Sequence, residues 1–343
     1  MKVFLVKEPG KAEIVEMERP VPGPGFMLAK VLHCGICGTD VSILNGTLSL
    51  GKGNEPVYPV RIGHEWSGEV VELGPGAKRL NIGDRVVSET GYSCGVCEGC
   101  ITGEGCLEGR ALGTIGNCWP GAFAEYILMP ERLTYRIPDT VPTDTAALIE
   151  PASIGFGNLC RTPIGPGKIL LVVGTGPISL GGLACAKGIG SGKILLAGRK
   201  DSKLAIGKKL GADVLINMEK EDLRKAVMRE TGGRGAHVVL DTTGAVELLN
   251  LSVALTRSGG HLAIPGFYEQ VVNNFAIDNI IVRGITLTGG SSPVIHRILD
   301  LLARGIIDFK PMITDRYPFA KIKEAFAAVK EKNDTRVKII VDF

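Results

Sequence analysis

No apolar stretch in this chain approaches the roughly 18 residues that a membrane-spanning helix needs, which excludes an integral helical membrane protein. A secretory leader is not visible either. The opening MKVFLVKEPG offers only Val3–Val6 as an apolar run, too short for a signal h-region. Nine cysteines in 343 residues fall short of disulfide-scaffold density, so the expected compartment is reducing and cytoplasmic, with the thiols free for other work. An excess of charge of one sign is missing as well. The 39 basic and 36 acidic residues are interspersed and leave a formal +3. There is no basic block or aromatic-basic alternation to track a phosphate backbone, which argues against nucleic acid and membrane surfaces as partners. Internal repeats and low-complexity tracts are absent.

At 343 residues the chain is long enough for about two domains, each with a core of its own. Its 47 glycines cluster at turns between short Val/Ile/Leu runs. Up to about residue 150 those runs are brief and punctuated: Val3–Val6, Met27–Leu32, Gly68–Leu73, Arg85–Ser88 and Ala124–Met129, with clusters such as PVPGPG at 20–25 between them. That is the pattern of a β-rich domain with irregular loops. From 168 to about 290 the rhythm changes. The buried-strand runs KILLVVG (168–174), KILLAG (193–198), DVLIN (213–217), HVVLDTTG (237–244) and HLAIPG (261–266) alternate with helical patterns. The helices are expected over Pro177–Ile189, Asp201–Leu210, Glu219–Glu230 and Val246–Leu255. Strand and helix in strict alternation specify a doubly wound parallel sheet, so the fold class is α/β. The tail, with helices over Pro293–Gly305 and Ala320–Lys330 and a strand at Lys338–Val341, breaks the rhythm and is expected to return to the first domain. The expected division is 1–153, 154–290 and 291–343.

Three features carry chemistry. Cys94, Cys97, Cys100 and Cys106 form C-x2-C-x2-C-x5-C in one loop. Four thiolates so placed can surround a tetrahedral metal at about 2.3 Å each, which zinc accepts and a packed core has no reason to specify. Next, Gly174-Thr175-Gly176-Pro177-Ile178-Ser179 follows a buried strand and opens a helix. Its glycines permit a tight turn against a pyrophosphate, and the helix start offers free N–H groups, with Ser179 in place of the usual third glycine. An NAD site ends its second strand in an acid that binds the ribose, but here KILLAG ends at Gly198 and continues Arg199-Lys200. Gly198 leaves room for a 2′-phosphate and the two cations can pair with it, so NADP is preferred and NAD remains possible. Asp201 is read as the N-cap of the following helix. Last, Cys37 in CGICGTD (34–40), His64 and Glu65 in GHEWSG (63–68), and Glu150 in LIEPAS (148–153) place metal-ligand types in three separated segments.

Together, CGICGTD, GHEWSGEVVELGPGA, the four-cysteine loop, GDRVV (83–87), GAFAEY (121–126), IEPAS and VVGTGPISL resemble the zinc-dependent medium-chain dehydrogenase/reductase superfamily, in its order and along nearly the whole chain. The resemblance implies a GroES-like β-rich catalytic domain, a Rossmann domain inserted after it and a C-terminal return. Glu150-Pro151 looks like the polyol (sorbitol-type) branch, where a glutamate replaces a zinc-binding cysteine. By the resemblance, Cys37, His64 and Glu150 hold the catalytic zinc, with Glu65 an exchangeable or outer carboxylate. Thr39 matches the hydroxyl that takes the alcohol proton, while Ser42 stands where many relatives carry a relay histidine. The family's lobe is usually two residues longer before its fourth cysteine, so either Cys106 or Cys118 is open to completing it.

The expected activity is hydride transfer between NADP(H) and a secondary alcohol or its ketone, most readily a polyol, sugar alcohol or cyclitol, in a homodimer or homotetramer. The polar segment from Leu44 to Pro59, with Lys52, Asn54 and Glu55, is expected to contribute hydroxyl contacts. Alternatives are a simple secondary-alcohol or threonine-type amino-alcohol dehydrogenase, a zinc-free quinone or enoyl reductase, and a non-enzymatic NADPH-binding redox sensor.

Overall fold

A computed structural model describes residues 1–48, 56–91, 93–102, 106, 114–268, 271–290 and 293–343. Contacts divide the chain into two units, one comprising Met1–Glu150, Asp315–Lys332 and Lys338–Phe343, the other Pro151–Thr314 and Asn333–Val337. The helix Ile295–Ala303 therefore lies in the second unit. No described helix is long and apolar enough to cross a membrane.

The first unit is built on β1 (Lys2–Glu8), β2 (Lys11–Glu16), β3 (Phe26–Gly35), β4 (Val60–Arg61), β5 (Glu65–Leu73), β6 (Arg85–Ser88), β7 (Tyr126–Pro130) and β8 (Thr134–Arg136). Strands β2, β1 and β4 form a small sheet, and β3, β5, β6 and β8 run consecutively in a larger one, with β7 also on β3. Apolar residues alternate inward along these strands and close over an aromatic centre. Phe4 stacks on Phe326 with ring centroids 5.3 Å apart, and Phe123 meets Phe326 edge-on at 5.6 Å. Trp66 belongs to this core, 2% exposed, its indole N–H donating to Ser88 Oγ at 3.0 Å.

Strand register sets the chemistry of this unit. Gly35 pairs with Glu65 and Cys34 with Trp66 across β3 and β5, so the start of β5 faces the end of β3, two residues before Cys37. The C-terminal strand Lys338–Asp342 adds to the other side of β3, with Ile340 opposite Gly35 and Val341 opposite Cys34. It carries Lys338 to the same corner. Helix α1 (Gly38–Asn45) begins immediately after Cys37 and ends at Gly46, whose φ of 71° is the left-handed stop that glycine supplies.

The second unit carries a parallel sheet of β9 (Leu170–Val173), β10 (Ile194–Gly198), β11 (Val214–Asn217), β12 (Ala236–Asp241), β13 (Thr256–Ala263) and β14 (Thr286–Thr288). The order is β11-β10-β9-β12-β13-β14, which is the 3-2-1-4-5-6 arrangement of a dinucleotide-binding sheet counted from β9. The chain reverses direction of winding between β9 and β12, so a crevice opens at their carboxyl ends. Helices α2 (Ile149–Leu159) and α3 (Pro177–Gly188) pack unusually closely: a Cβ on Gly181 would stand 2.6 Å from the Ala152 Cβ, and Gly182 faces the Gly155 backbone. These glycines do the close-packing work that the third fingerprint glycine would otherwise do. Ser179 at that fingerprint position instead hydrogen-bonds Thr242 Oγ1 at 2.5 Å.

Several boundaries differ from the sequence reading. The helix expected from Glu219 starts at Leu223, because the Asp222 side chain accepts the Lys225 N–H at 2.7 Å and caps it there. Asp201 is not an N-cap. Lys200 holds that position, and Asp201 in the first turn accepts Asn217 Nδ2 at 2.6 Å and Lys220 Nζ at 2.5 Å. The helix Ile277–Arg283 was not foreseen, since IDNIIVR is rich in β-branched residues.

Candidate functional site

The four lobe cysteines converge. Their sulfurs all lie within 4.8 Å of one another, with Cys94 and Cys100 at 3.9 Å and Cys97 and Cys106 also at 3.9 Å. A metal bonded to four sulfurs at about 2.3 Å sets them about 3.8 Å apart, so the donor set fits tetrahedral zinc. Backbone N–H groups already point at the sulfurs: Cys94 N–H to Cys106 Sγ at 3.2 Å and Cys97 N–H to Cys94 Sγ at 3.3 Å. Gly95, at φ 77°, makes the tight turn that aims them. Cys106 thus completes the group despite the shortened spacing, whereas Cys118 is exposed and stands outside it.

A second group gathers Cys37, His64 and Glu65, each offering a ligand atom within 4.8 Å of the others. Asp40 organises it from a fully buried position. One carboxylate oxygen accepts the Cys37 N–H at 2.9 Å and the other the Gly63 N–H at 2.9 Å, fixing both ligand segments. The second oxygen also faces His64 Nδ1 at 3.5 Å, which leaves Nε2 for a metal. Burial acts to depress the His64 pKa, but the charges of Asp40 and Cys37 override it and raise it well above the ordinary imidazole value. The Cys37 thiol donates to Thr39 Oγ1 at 3.7 Å, placing that hydroxyl at the group's edge. Gly63, with φ 98°, is held so close to Phe123 that a Cβ would meet the ring at 2.7 Å.

Glu65 is committed on one side. Its Oε2 receives Lys338 Nζ at 2.5 Å, and the same ammonium donates to the Ile36 carbonyl at 2.9 Å. Both side chains are almost wholly buried. Gly35 has no side chain because a Cβ there would run into the Glu65 carboxylate. Glu150, in the first turn of α2, lies outside the three-residue ligand group but shares its electrostatics. Burial pushes its carboxyl up to about 7, with His64 and Lys338 pulling down and Glu65 and Asp40 adding to the rise. Thr90 Oγ1 donates to Glu150 Oε1 at 3.5 Å. Lys338 is the residue that sequence reasoning missed. Cys34, which forms a C-x2-C with Cys37, is buried, and desolvation pushes its thiol well up, away from the reactive thiolate form.

In the second unit, a cleft of about 380 Å³ at the carboxyl ends of β9, β10 and β12 is lined by Gly174, Gly176, Gly198, Arg199, Thr242 and Thr243, among others. Gly174 has φ 115°, and a Cβ there would stand 2.8 Å from Thr242 Oγ1. Pro177 occupies the first helical turn of α3, where its missing N–H costs nothing, and Ile178 follows it. Buried Asp241 sets the far wall by accepting the Thr243 N–H at 3.0 Å, Thr243 Oγ1 at 2.7 Å and Ser252 Oγ at 2.7 Å. The two cations expected here part company. Lys200 pairs with Glu219 at 3.0 Å and Asp334 at 3.5 Å, whereas Arg199 is exposed at the cleft without an ion pair among the described residues. Gly198 also has a packing role, since a Cβ would meet Thr175 Cγ2 at 2.5 Å. Lys52, Asn54 and Glu55 lie outside the described residues.

Residues 23–139 match the alcohol dehydrogenase GroES-like domain, and residues 177–304 match the zinc-binding dehydrogenase family. The chain is similar to a D-arabitol-phosphate dehydrogenase of Enterococcus avium, 35% identical over 99% of this chain and 97% of that one. It is 34% identical to an L-threonine 3-dehydrogenase of Pyrococcus horikoshii, over 96% and 95% of the two chains. A zinc-binding dehydrogenase from Sinorhizobium meliloti 1021, solved bound to NADP, superposes with a TM-score of 0.91 at 28% identity, covering 100% of this chain and 99% of that one. With these matches running the length of both units, the chain belongs to the zinc-dependent medium-chain alcohol dehydrogenase family, in its polyol branch.

Proposed function

We propose that this alcohol dehydrogenase interconverts a secondary alcohol of the polyol, sugar-alcohol or cyclitol class with its ketone, preferring NADP(H). The observation that carries the reading is the gathering of Cys37, His64 and Glu65, with a half-buried Glu150 that shares their electrostatics. Cys37 and His64 would hold zinc together with one of the two carboxylates, Glu150 or the exchangeable Glu65. When bound, zinc supplies Lewis acidity that favours the alkoxide form of the alcohol. Thr39 Oγ1 would accept the alcohol proton as it passes its own to solvent, and a nicotinamide cofactor, when bound, would supply the hydride acceptor. Ser42 stands one helical turn further along α1, so the proton leaves without a histidine relay. Asp40 holds the His64 ring against rotation throughout. The sulfur group of Cys94, Cys97, Cys100 and Cys106 would hold a second zinc, closed to substrate. A reducing cytoplasmic setting suits the free thiols, and a homodimer or homotetramer is the expected assembly.

Two predictions arise here. Cys106→Ser is expected to lower metal content from roughly two zinc per subunit to roughly one, while Cys118→Ser leaves it unchanged, as read by elemental analysis. The second concerns pH. In metal-free protein Glu150 titrates near 7, so below that pH a proton must leave it before it can ligate. His64, its own pKa raised, must lose a proton as well, so zinc affinity at the catalytic group falls at least tenfold for each pH unit below 7, measurable with a competing chelator.

NADP preference rests on Arg199, the cation at the cleft that is not already paired. Arg199→Asp is expected to lower kcat/KM for NADP about 100-fold through a lost charge-assisted bond and added repulsion, with little change for NAD. Initial rates with both cofactors across polyols, cyclitols, threonine and simple secondary alcohols test the whole reading. Turnover with NAD alone would overturn the cofactor assignment. Turnover of threonine alone would favour the amino-alcohol reading, which the Pyrococcus relative supports.

A further inference from the structure

A second concave site lies in the first unit, with none of Cys37, His64 and Glu65 in its lining. It has a volume of about 470 Å³, and Leu5, Met17, Val57, Trp119 and Leu128 contribute to its wall. Into this apolar lining comes Arg61. The residue sits in β4 between buried Val60 and Ile62, pairing with Leu5 of β1. Alternation along a strand sends Arg61 to the opposite face from those two neighbours, a face that for so short a strand would ordinarily be open water. Instead Arg61 is only 9% exposed, and its Nε is sealed from solvent without a hydrogen-bond partner. No acidic side chain among the described residues forms an ion pair with it. The one carboxylate on the pocket's wall, Glu18, is exposed and is not in contact with the guanidinium.

A buried guanidinium without a counter-charge is among the costliest groups a fold can keep, and an aliphatic side chain of similar volume would serve the packing better. Burial even draws the Arg61 pKa down to about 10, which shows how poorly the site solvates its charge. One cation without a counter-charge in a largely apolar pocket calls for one negative charge on an apolar body. A single guanidinium matches a carboxylate in its fork geometry, and the Met1 ammonium on the same wall is already engaged by the Met17 carbonyl at 2.6 Å and Glu16 at 3.5 Å, so it is not free to balance a second charge. We propose that this pocket binds a small monocarboxylate, its carboxylate on the Arg61 guanidinium and its hydrocarbon body against Leu5, Met17, Val57, Trp119 and Leu128.

Octanoate is a suitable probe, with octanamide as its uncharged counterpart. The chain has two tryptophans, and Trp66 is locked in the core, so a fluorescence change on titration reports Trp119. Octanoate is expected to saturate the signal in the zinc-loaded enzyme, with octanamide at least tenfold weaker. Arg61→Met should weaken octanoate by a similar factor and remove the difference between the two probes. Met17 is 47% exposed on the wall of the pocket, so Met17→Asp leaves the buried core intact. It places a competing carboxylate on that wall, and should also weaken octanoate at least tenfold while alcohol turnover stays unchanged. Equal binding of octanoate and octanamide would overturn the proposal. So would octanoate binding that neither variant alters, or sedimentation and footprinting that show a second copy of the chain permanently covering this face.

Discussion

His64→Ala is expected to lower kcat/KM for alcohol oxidation by about a thousandfold and to remove one of the two bound zinc ions. The magnitude follows from the Lewis-acid contribution of several kcal/mol, at about 1.4 kcal/mol per factor of ten. No second imidazole stands beside His64: the described residues that share its ligand group are Cys37 and Glu65. Asp40→Asn provides the informative comparison. Asp40 touches no reacting atom, yet its carboxylate ties the Cys37 and Gly63 backbones at 2.9 Å each and faces His64 Nδ1. An asparagine keeps one acceptor and loses the charge, so activity should fall by about 10–100-fold, as for other outer partners of metal ligands. The zinc should stay bound in Asp40→Asn and be lost in His64→Ala. If both variants retained two zinc ions, His64 would not be a ligand. If Asp40→Asn were fully active, the hydrogen bonds to the ligand segments would be structural only.

Much of this architecture is legible in the residues themselves. The parallel sheet announces itself because buried strands of the second unit are continuous apolar runs, such as LLVV and ILLAG, each followed by an amphipathic helix. The sulfur group is legible because all four ligands are local, so spacing alone limits the geometry. What spacing could not decide was Cys106 against Cys118. In the folded chain the Cys106 sulfur stands with those of Cys94, Cys97 and Cys100 and accepts the Cys94 N–H, while Cys118 stands outside the group. The Arg199-Lys200 pair looked like two equivalent cations, yet Lys200 meets Glu219 and Asp334, the latter more than a hundred residues away in sequence. Asp241 was hidden in the same way: DTTG reads as a strand end, and only the fold shows its carboxylate pinning Thr243 and Ser252. Lys338 is the extreme case. A lysine opening a terminal strand is ordinarily a solvated edge residue. Its burial depends on the antiparallel pairing of the last strand with β3, which no local pattern in KIIVD encodes.

Lys338→Met is therefore expected to be the most destabilising single change at the site. Lys338 and Glu65 have side chains 3% and 1% exposed and meet at 2.5 Å. Removing one partner of such a pair leaves the other charge buried and costs about 3–5 kcal/mol. The double substitution Glu65→Gln with Lys338→Met should recover most of that loss, because the penalty belongs to the abandoned charge rather than to the missing contact. The pH dependence carries a definite sign. Burial works to lower the Lys338 pKa, but Glu65, Cys37 and Glu150 together raise it above its ordinary 10.5. A base with a raised folded pKa contributes fully below the unfolded value and loses that contribution as pH climbs through the folded one. The difference in stability between the unmodified protein and Lys338→Met should thus be flat at mildly alkaline pH, above the range in which Glu150 titrates, and on the alkaline side shrink only in strong alkali. Zinc adds the decisive arm. If Glu65 can move onto the metal when Lys338 is gone, denaturant unfolding will show a smaller penalty in zinc-loaded than in chelated protein. Equal penalties would mean that Glu65 stays where the structure shows it and that Glu150 alone serves as the third ligand. A penalty below about 1 kcal/mol in both forms, within the range of an exposed ion pair, would show that Glu65 does not depend on Lys338 for its charge.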